Sequence, residues 1–576
     1  MSKKIFKISF IFILLIALFL RFYKLGRIPS SLYWDETAMF LDSKIIADTG
    51  RDMHDRPWLQ AMFISYGDYK LPVYIWFASF FIKIMGVSEF TFRLTSAIAG
   101  ILGVIIAALI ARKLFFKKQF EKDLIFLSTM LVIALSPWSI LFSRTAFEGH
   151  FGQFFLNLAV LLFLYSSKKK LFLFLSQIAA VFATYTYFSV RFVWPILFVF
   201  LIFYQNQNIF KLSQLRKKCS CQVLRKNFKK KSLFILINFL LPLSLYLILL
   251  IPMFSSPLYH ESNQFRLSTK SIFNSQDWPV IANQYREIAG NSKIDRLFYN
   301  RYLLIGRELV KNYAEHLSLD YLFISGDANL RHGTTRHGLF LFPFIIPFFI
   351  GLFQLTKKHK SELLLLTLWW FLALLPASVP ETTPHALRTL NALTPICLII
   401  ALGLTKLISL ITSFSKRRES LPIYFSLAAY CLICLFSVFQ FIRHYFIHYP
   451  VESSFAWQDA YKELALKIFE KKSTANVWVE SFDDRFFLWI LAYGPYNSSK
   501  IQEMLRDKYR LEQIENITFR GYDWKKISEL DHKILVIGRT ESINAQLEKT
   551  AIKPNWLETI QDHNHNDKFT LLEFGN

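Results

Sequence analysis

The chain has 576 residues, of which 53% are hydrophobic and 60 are Phe, and its mean hydropathy is +0.31. Apolar runs of roughly 20 residues, the length that crosses a bilayer as a helix, recur along the chain and exclude an ordinary soluble protein. The net charge is +25, but the basic residues cluster between apolar runs and form no nucleic-acid-binding motif, so we expect no nucleic-acid partner.

The first apolar run covers residues 5–20 and resembles the core of a signal peptide. No small-residue cleavage site follows it, because the next residues are Arg21-Phe22-Tyr23-Lys24. We therefore expect an uncleaved first transmembrane helix, with Lys3, Lys4 and Lys7 holding the N-terminus on the inner side.

Further apolar runs predict an all-α polytopic membrane protein with about eleven transmembrane helices. The expected spans are 5–25, 93–112, 124–142, 150–166, 171–189, 191–205, 233–254, 338–355, 362–379, 391–411 and 422–441. Every second connecting loop is strongly basic, which places those loops in the cytoplasm. The basic loops are 112–122, 168–170, 211–231, 357–360 and 416–418.

The apolar segment 72–85 is short and rich in aromatic residues. If it crossed the membrane, all later basic clusters would lie outside, against the positive-inside rule. We therefore expect an interfacial helix on the outer face, within one large outer loop that covers residues 26–92.

The same threading places a second long outer loop at 255–337 and everything after residue 441 outside the membrane. In this tail the composition becomes mixed and charged, with strand-like pieces at 476–480, 533–537 and 569–573. We expect a transmembrane catalytic domain at 1–441, followed by a small extracytoplasmic α/β domain at 442–576.

The five cysteines are Cys219, Cys221, Cys397, Cys431 and Cys434. Two lie in a basic loop and three lie in apolar runs, and their spacing fits neither a redox pair nor a zinc site. We expect them to be inert thiols.

Polar residues collect on the predicted outer side of the membrane. The candidates are Asp35, Glu36, Asp68, Lys70 and Arg93 in the first outer loop, Arg144 and Glu148 in or next to the short outer turn 143–149, Asp327, Arg331 and His332 at the end of the long loop 255–337, and His385 and Arg388 in the outer loop 380–390. Charged outer loops are ordinary in membrane proteins, so their joint placement is more informative than any one of them.

Several of these residues also have simple structural explanations. Asp35 and Glu36 fit a pair at a helix N-terminus, where the dipole favours negative charge. Lys70 fits an interfacial cation whose stem lies in the apolar region, and Glu148 fits an i,i+4 partner of Arg144. Arginines are disfavoured in short outer loops, so Arg93 and Arg144 point to an anionic partner.

The first loop resembles the GT-C glycosyltransferases that use polyprenyl-phosphate sugars, of the family that includes protein O-mannosyltransferases and the lipid A aminoarabinose transferase. The matching pieces lie within about residues 20–112. They are Trp34-Asp35-Glu36, Ala47-Asp48-Thr49-Gly50-Arg51-Asp52, Tyr69-Lys70-Leu71-Pro72 and Gly86 through Leu94, and 136–148 and 384–388 are compatible with the family.

The resemblance implies an integral-membrane glycosyltransferase in the plasma (inner) membrane of a bacterium, with its active site outside the cytoplasm. It would move one hexose or pentose, with inversion, from a polyprenyl-monophosphate donor to a hydroxyl of a lipid, polymer or protein acceptor. Asp35 would be the general base and Glu36 its neighbour in the catalytic pair. Lys70 and Arg93 would bind the donor phosphate, with Arg144 and Arg388 as further candidates.

The remaining candidates, which are Asp68, Glu148, Asp327, Arg331, His332 and His385, are expected to support this site. No cofactor is required by this mechanism. A divalent metal is an alternative that stays open, with His332, His337 and His385 as candidate ligands, but no metal ligand is assigned. Relatives carry a metal-binding Glu directly before the lysine, where this chain has Tyr69, and His332, His337 and His385 lack a tight ligand spacing.

Three other functions compete with this one. A transporter or flippase predicts inverted repeats, broken helices or charges in mid-span, whereas the charges here gather at helix ends. A scaffold protein on the same fold would not need Asp35. A ligase that joins preassembled glycans remains possible on the same fold, although the short Asp-Glu loop followed by an amphipathic segment favours single-sugar transfer.

Overall fold

The computed structural model describes residues 1–66, 68–206, 236–274, 277–414, 421–472, 475–480, 482–519, 524–527, 533–550 and 552–575. Cys219, Cys221, Gly67 and the predicted basic stretches 211–231 and 416–418 lie outside the described residues. Cys397, Cys431 and Cys434 are free thiols.

The chain divides into two compact units, each built from two separate stretches. The first unit consists of Met1–Tyr23 and Ser96–Phe441, and the second consists of Lys24–Thr95 and Ile442–Asn576. The second unit therefore contains both the predicted first outer loop and the tail.

The first unit is helical throughout its described part. Its α-helices are Lys3–Phe22, Glu89–Leu114 (whose first residues belong to the second unit), Gln119–Leu135, Pro137–Ser143, Glu148–Tyr165, Leu171–Thr184, Val190–Gln205, Leu241–Phe254, Pro257–Lys270, Asp277–Ala289, Lys293–Phe298, Arg301–Glu315, Ile345–Lys358, Lys360–Ser378, Leu393–Phe414 and Leu421–Arg443. Short π-helical turns at Leu236–Leu240 and Asp320–Ile324 and 3₁₀ turns at Ile272–Asn274, Phe342–Phe344 and Leu390–Ala392 connect them.

A helix lies at each of the eleven predicted span positions, because a helix satisfies every backbone polar group within a bilayer. Six described helices are long and apolar enough to cross a membrane by themselves. The pair Gln119–Leu135 and Pro137–Ser143, bent by 64°, makes a seventh if it is one span. The other predicted spans are shorter or less apolar helices. The protein is thus a multi-pass membrane protein.

Two helices of the first unit pack backbone against backbone at a pair of glycines. A Cβ atom on Gly351 would lie 1.9 Å from the carbonyl oxygen of Ile399, and one on Gly403 would lie 1.8 Å from that of Pro347. Membrane helices associate by close packing rather than by the hydrophobic effect, so small residues of this kind fix their separation.

The second unit begins with the first outer loop. Its helices are Trp34–Thr49 and Pro72–Met85, and its two strands, Phe63–Ser65 and Asp68–Lys70, pair as an antiparallel hairpin. The 14-residue helix Pro72–Met85 rises about 21 Å, which is less than the roughly 30 Å hydrocarbon core. Its place at the outer interface stays a prediction, because the helix Leu171–Thr184 at an expected span also has 14 residues.

The tail forms a small α/β sheet structure, as the strand-like pieces predict. The six strands lie in the order Gln513–Ile514, Ile517–Phe519, Asn476–Val479, Ile534–Arg539, Asp567–Phe574, Trp556–Gln561. Asn476–Val479 is parallel to both its neighbours and the other pairs are antiparallel. The described helical segments are His444–His448 (π), Tyr449–Glu452, Tyr461–Lys471, Phe487–Tyr493, Ser498–Leu505, Trp524–Ile527 and Thr540–Thr550.

Within the second unit, the first loop and the tail are joined by specific hydrogen bonds. The backbone N–H of Trp34 donates to Gln458 Oε1 over 2.8 Å. Glu89 Oε1 accepts from Lys462 Nζ at 2.8 Å and from the Tyr493 hydroxyl at 2.7 Å. The tail therefore fixes both the start of the helix that carries Asp35 and the end of the loop.

Candidate active site

Asp35 and Glu36 lie in the first turn of the helix Trp34–Thr49. Neighbouring helical residues point about 100° apart, so the two carboxylates face different surroundings. The side chain of Asp35 keeps 22% of its exposure, whereas that of Glu36 is fully buried. Both also benefit from the positive end of the helix dipole, as the simple structural explanation predicts.

Glu36 forms a buried ion pair with Arg93, which lies 57 residues further along the chain. Arg93 Nη2 is 2.8 Å from Glu36 Oε2, and both side chains have no exposure. Arg93 also donates to the carbonyl oxygens of Pro29 and Ser31, and its guanidinium lies 5.8 Å from the ring centre of Trp457. This arrangement supports neither a phosphate contact by Arg93 nor contact of Glu36 with a substrate.

Asp35 receives two hydrogen bonds from the hairpin. Lys70 Nζ donates to Asp35 Oδ1 over 2.5 Å, and the hydroxyl of Tyr66 donates to the same oxygen over 3.0 Å. Lys70 ends the second strand, and Pro72 starts the next helix two residues later, where proline is favoured. The Lys-Leu-Pro sequence thus places the ammonium group at a defined position beside Asp35.

Asp68 lies on the other side of the same ammonium group. Its Oδ2 is 3.7 Å from Lys70 Nζ, and its Oδ1 accepts the N–H of Tyr69. Lys70 is therefore shared between two carboxylates, and its side chain is only 8% exposed. If either carboxylate moves away from Lys70, its ammonium group can bind another anion in that place.

Tyr66 and Arg485 belong to this site, although nothing in the sequence distinguished them. Tyr66 adopts a φ of 36°, a conformation that bulky residues rarely adopt away from functional or strained sites. Burial, together with the charge of Asp35, raises the pKa of Tyr66 well above its usual value, so this phenol stays protonated and donates. The guanidinium of Arg485 lies over the ring of Trp34 at 3.1 Å, within the same unit.

Arg144 is fully buried and caps the first transmembrane helix. Its Nη1 and Nη2 donate to the carbonyl oxygens of Leu20 and Tyr23, at 3.0 and 2.8 Å. The last carbonyls of a helix have no partner within the helix, and an arginine there also complements the dipole. Arg21 does the same for the helix Gln119–Leu135, donating to the carbonyls of Ile133 and Ala134. These contacts do not support the predicted phosphate role of Arg144.

Glu148 and Arg388 lie near each other in the first unit. A Cβ atom on Gly149 would lie 2.8 Å from Leu387, so the helix start and the last loop are in close contact. Tyr187 packs at the same place, because a Cβ atom on Gly149 would lie 3.3 Å from its ring. Arg388 itself donates to the backbone and side chain of Thr382.

Asp327, His332 and His385 form a group in the first unit that the sequence spacing did not predict. Each offers one ligand atom, and these atoms all lie within 4.8 Å of one another. Burial raises the pKa of Asp327 to about 6 and lowers that of His385 well below its usual value. Arg331 lies in the same loop, where its N–H donates to Asn329 Oδ1.

No protein-family model matches the chain, and no curated protein matches it in sequence. Among solved structures, it is similar to ArnT from Cupriavidus metallidurans in the apo state, with a TM-score of 0.50 and 12% identity over 98% of this chain and 97% of that one. ArnT bound to undecaprenyl phosphate gives the same TM-score and coverage at 11% identity.

The oligosaccharyltransferase of Archaeoglobus fulgidus in its apo form also matches, at a TM-score of 0.49 and 14% identity, over 94% of this chain and 70% of that one. At such low identity, the similarity to ArnT establishes the fold. The chain has the GT-C fold that the first-loop residues predict.

Proposed function

We propose that the protein is a membrane glycosyltransferase that moves one sugar from a polyprenyl-monophosphate donor to an acceptor hydroxyl on the outer face of the membrane. The observation that carries this proposal is the contact of Asp35 with Lys70 at a partly exposed position. A base for the acceptor and a cation for the leaving phosphate lie side by side. The fold supports the same proposal, because ArnT with this fold binds undecaprenyl phosphate.

In the proposed reaction, Asp35 takes the proton of the acceptor hydroxyl. The acceptor oxygen then forms a bond to the anomeric carbon, and the bond from that carbon to the phosphate oxygen breaks. The polyprenyl phosphate leaves with the bonding electrons, and the anomeric configuration inverts. General-base assistance of this kind is worth about 10²–10⁴-fold, and positioning of the two substrates supplies more.

Lys70 has two parts in this proposal. Without a donor, its ammonium group neutralises Asp35 and makes that carboxylate a weaker base. A donor phosphate competes for the same ammonium group, so binding of the donor strengthens the base at the moment it is needed. Lys70 then stabilises the departing phosphate as a preorganised charge.

Buried contacts define the positioning residues of this site. The Glu36–Arg93 pair holds the start of the helix against the loop, and Tyr66 orients Asp35 by its hydrogen bond. We assign Arg388 as a further candidate for a phosphate contact because it lies in a loop and remains half-buried. The acceptor is a lipid, a polymer or a protein, and the expected membrane is the plasma membrane of a bacterium.

The test is transfer from a panel of radiolabelled polyprenyl-phosphate hexoses and pentoses in membranes that contain the full chain. Asp35→Asn removes the base but keeps the shape, and we expect it to lower transfer by about 10²-fold or more. Asp48→Asn is the matched control, because Asp48 is an exposed carboxylate on the same helix.

Equal transfer by wild type and Asp35→Asn contradicts the assignment of the base. Absence of transfer from every donor, in a wild-type protein that is folded and monodisperse, contradicts the enzyme proposal and favours a transporter or flippase. Transfer only from donors that carry a preassembled glycan identifies a ligase.

A further inference from the structure

The group Asp327, His332 and His385 brings together three side chains from two distant segments. Asp327 and His332 lie between the turns Asp320–Ile324 and Phe342–Phe344, and His385 lies in the loop before Leu390–Ala392. His332 Nδ1 is 3.7 Å from Asp327 Oδ2, and the two imidazole rings are 4.4 Å apart between centroids. All three ligand atoms lie within 4.8 Å of one another.

The surroundings hold these side chains in place. Asp327 accepts the N–H groups of Asn329 and Ala386 on its two oxygens, at 2.8 and 2.7 Å. The ring of His332 contacts Phe142 and Phe147. The backbone N–H of His385 donates to His316 Nε2. A site held by outer hydrogen bonds of this kind needs little rearrangement when an ion enters.

One ring nitrogen in this group takes part in none of the described hydrogen bonds. Nδ1 of His385 is buried, and no hydrogen bond to it exists among the described residues. Buried polar atoms nearly always have a partner, so this nitrogen is available to a ligand that the described residues do not supply. Two imidazoles and a carboxylate around one small space provide lone pairs for a cation.

The donor set indicates which cation fits. Two imidazole nitrogens and one carboxylate oxygen suit Zn²⁺ and related transition metals, whereas Mg²⁺ and Ca²⁺ prefer oxygen ligands. Nitrogen and oxygen ligands of a tetrahedral zinc ion lie about 3.3 Å apart. The three candidate ligand atoms are up to 4.8 Å apart, so small side-chain rotations bring them to the spacing of zinc ligands. Three protein ligands leave a fourth position open, as in zinc sites that bind water or a substrate group.

We propose that Asp327, His332 and His385 form a zinc site that ties the segment after the π-helical turn to the last outer loop. The ion joins residues that the chain separates by more than 50 positions, and it fixes the loop that carries Arg388. The proposal uses none of the residues of the Asp35 group, so it does not depend on the glycosyltransferase proposal.

The experiment measures metal in the full-length protein, purified in detergent from cells grown with zinc. By plasma mass spectrometry we expect about one zinc ion per chain. His332→Ala and His385→Ala should each reduce bound zinc at least about tenfold. His337→Ala is the matched control, because His337 lies in the same segment but outside the group.

A second measurement needs no variant. Wild-type protein treated with EDTA should gain thermal stability when Zn²⁺ is added and none when Mg²⁺ is added, because an ion that binds only the folded state stabilises it. The proposal is overturned if the wild type contains much less than one zinc ion per chain and added Zn²⁺ does not raise its unfolding temperature. Full retention of zinc by the His332→Ala His385→Ala double variant overturns it as well.

Discussion

Arg93 illustrates how a residue that looks like an anion site can be a structural one. Four hydrogen bonds commit its guanidinium to Glu36 and to the carbonyls of Pro29 and Ser31. Two charges without exposure are costly to bury unless they are paired and hydrogen-bonded, and here both conditions hold. Asp35, one residue before Glu36, contacts Lys70.

We predict that Glu36→Gln destabilises the protein by about 3 kcal/mol, because it leaves the positive charge of Arg93 buried without a counterion. The measurement is thermal unfolding in detergent, followed by tryptophan fluorescence. Lys311→Ala is the control, because it breaks the exposed pair Lys311–Glu308, and exposed pairs contribute about 1 kcal/mol or less. Equal stability of Glu36→Gln and wild type would show that the pair is not needed for folding.

At the scale of elements, the membrane helices are positioned by a few close contacts. The helices Ile345–Lys358 and Leu393–Phe414 approach through Gly351 and Gly403, and the buried arginines Arg21 and Arg144 cap the ends of two helices. These contacts connect helices that are apolar on nearly every face. Apolar surface alone does not select a neighbour in a bilayer, so the small and charged residues supply that selection.

We expect Gly351→Ala to destabilise the protein by at least about 2 kcal/mol, because its Cβ would overlap a backbone atom and force the helices apart. Gly103→Ala is the matched control: Gly103 also lies in a membrane helix, and a Cβ there would meet no atom within 4 Å. Unfolding temperatures of the two variants test this difference. A shift of the same size in both would assign the effect to glycine itself rather than to the contact.

At the scale of the whole molecule, the first outer loop and the tail form one unit. Trp34 and Gln458, which are 424 positions apart, share a hydrogen bond, and Gln502 donates to the carbonyl oxygen of Asp52. The tail therefore acts as a support for the loop that carries Asp35.

We predict that a chain truncated after residue 452 loses amide protection in the helix Trp34–Thr49, since part of its packing surface is removed. Hydrogen–deuterium exchange with mass spectrometry measures this. The helix Glu148–Tyr165, which belongs to the first unit, provides the internal comparison and should keep its protection. Unchanged exchange in both helices would mean that the loop folds without the tail.

The amino-acid sequence by itself determined the membrane helices, three of the six described strands of the tail and the first-loop motif. These are local properties: apolar runs of spanning length, alternating patterns and the Lys-Leu-Pro turn are all read over fewer than about 25 residues. The sequence also placed Asp35 and Lys70 in one outer loop, but their contact depends on how the hairpin packs against the helix Trp34–Thr49.

The tertiary structure alone decided which charged residues are paired and which are available. Three sets of contacts depend on the packing of segments that are far apart in the chain. They are the pair of Glu36 with Arg93, the contact of Arg144 with the end of the first helix, and the group of Asp327, His332 and His385. Spacing along a sequence does not reveal such contacts, because burial and partner choice arise only when the segments meet. For that reason, the sequence grouped these residues as one set of outer charges, and the structure separated them into an ion pair, a helix cap and a cluster of one carboxylate and two imidazoles.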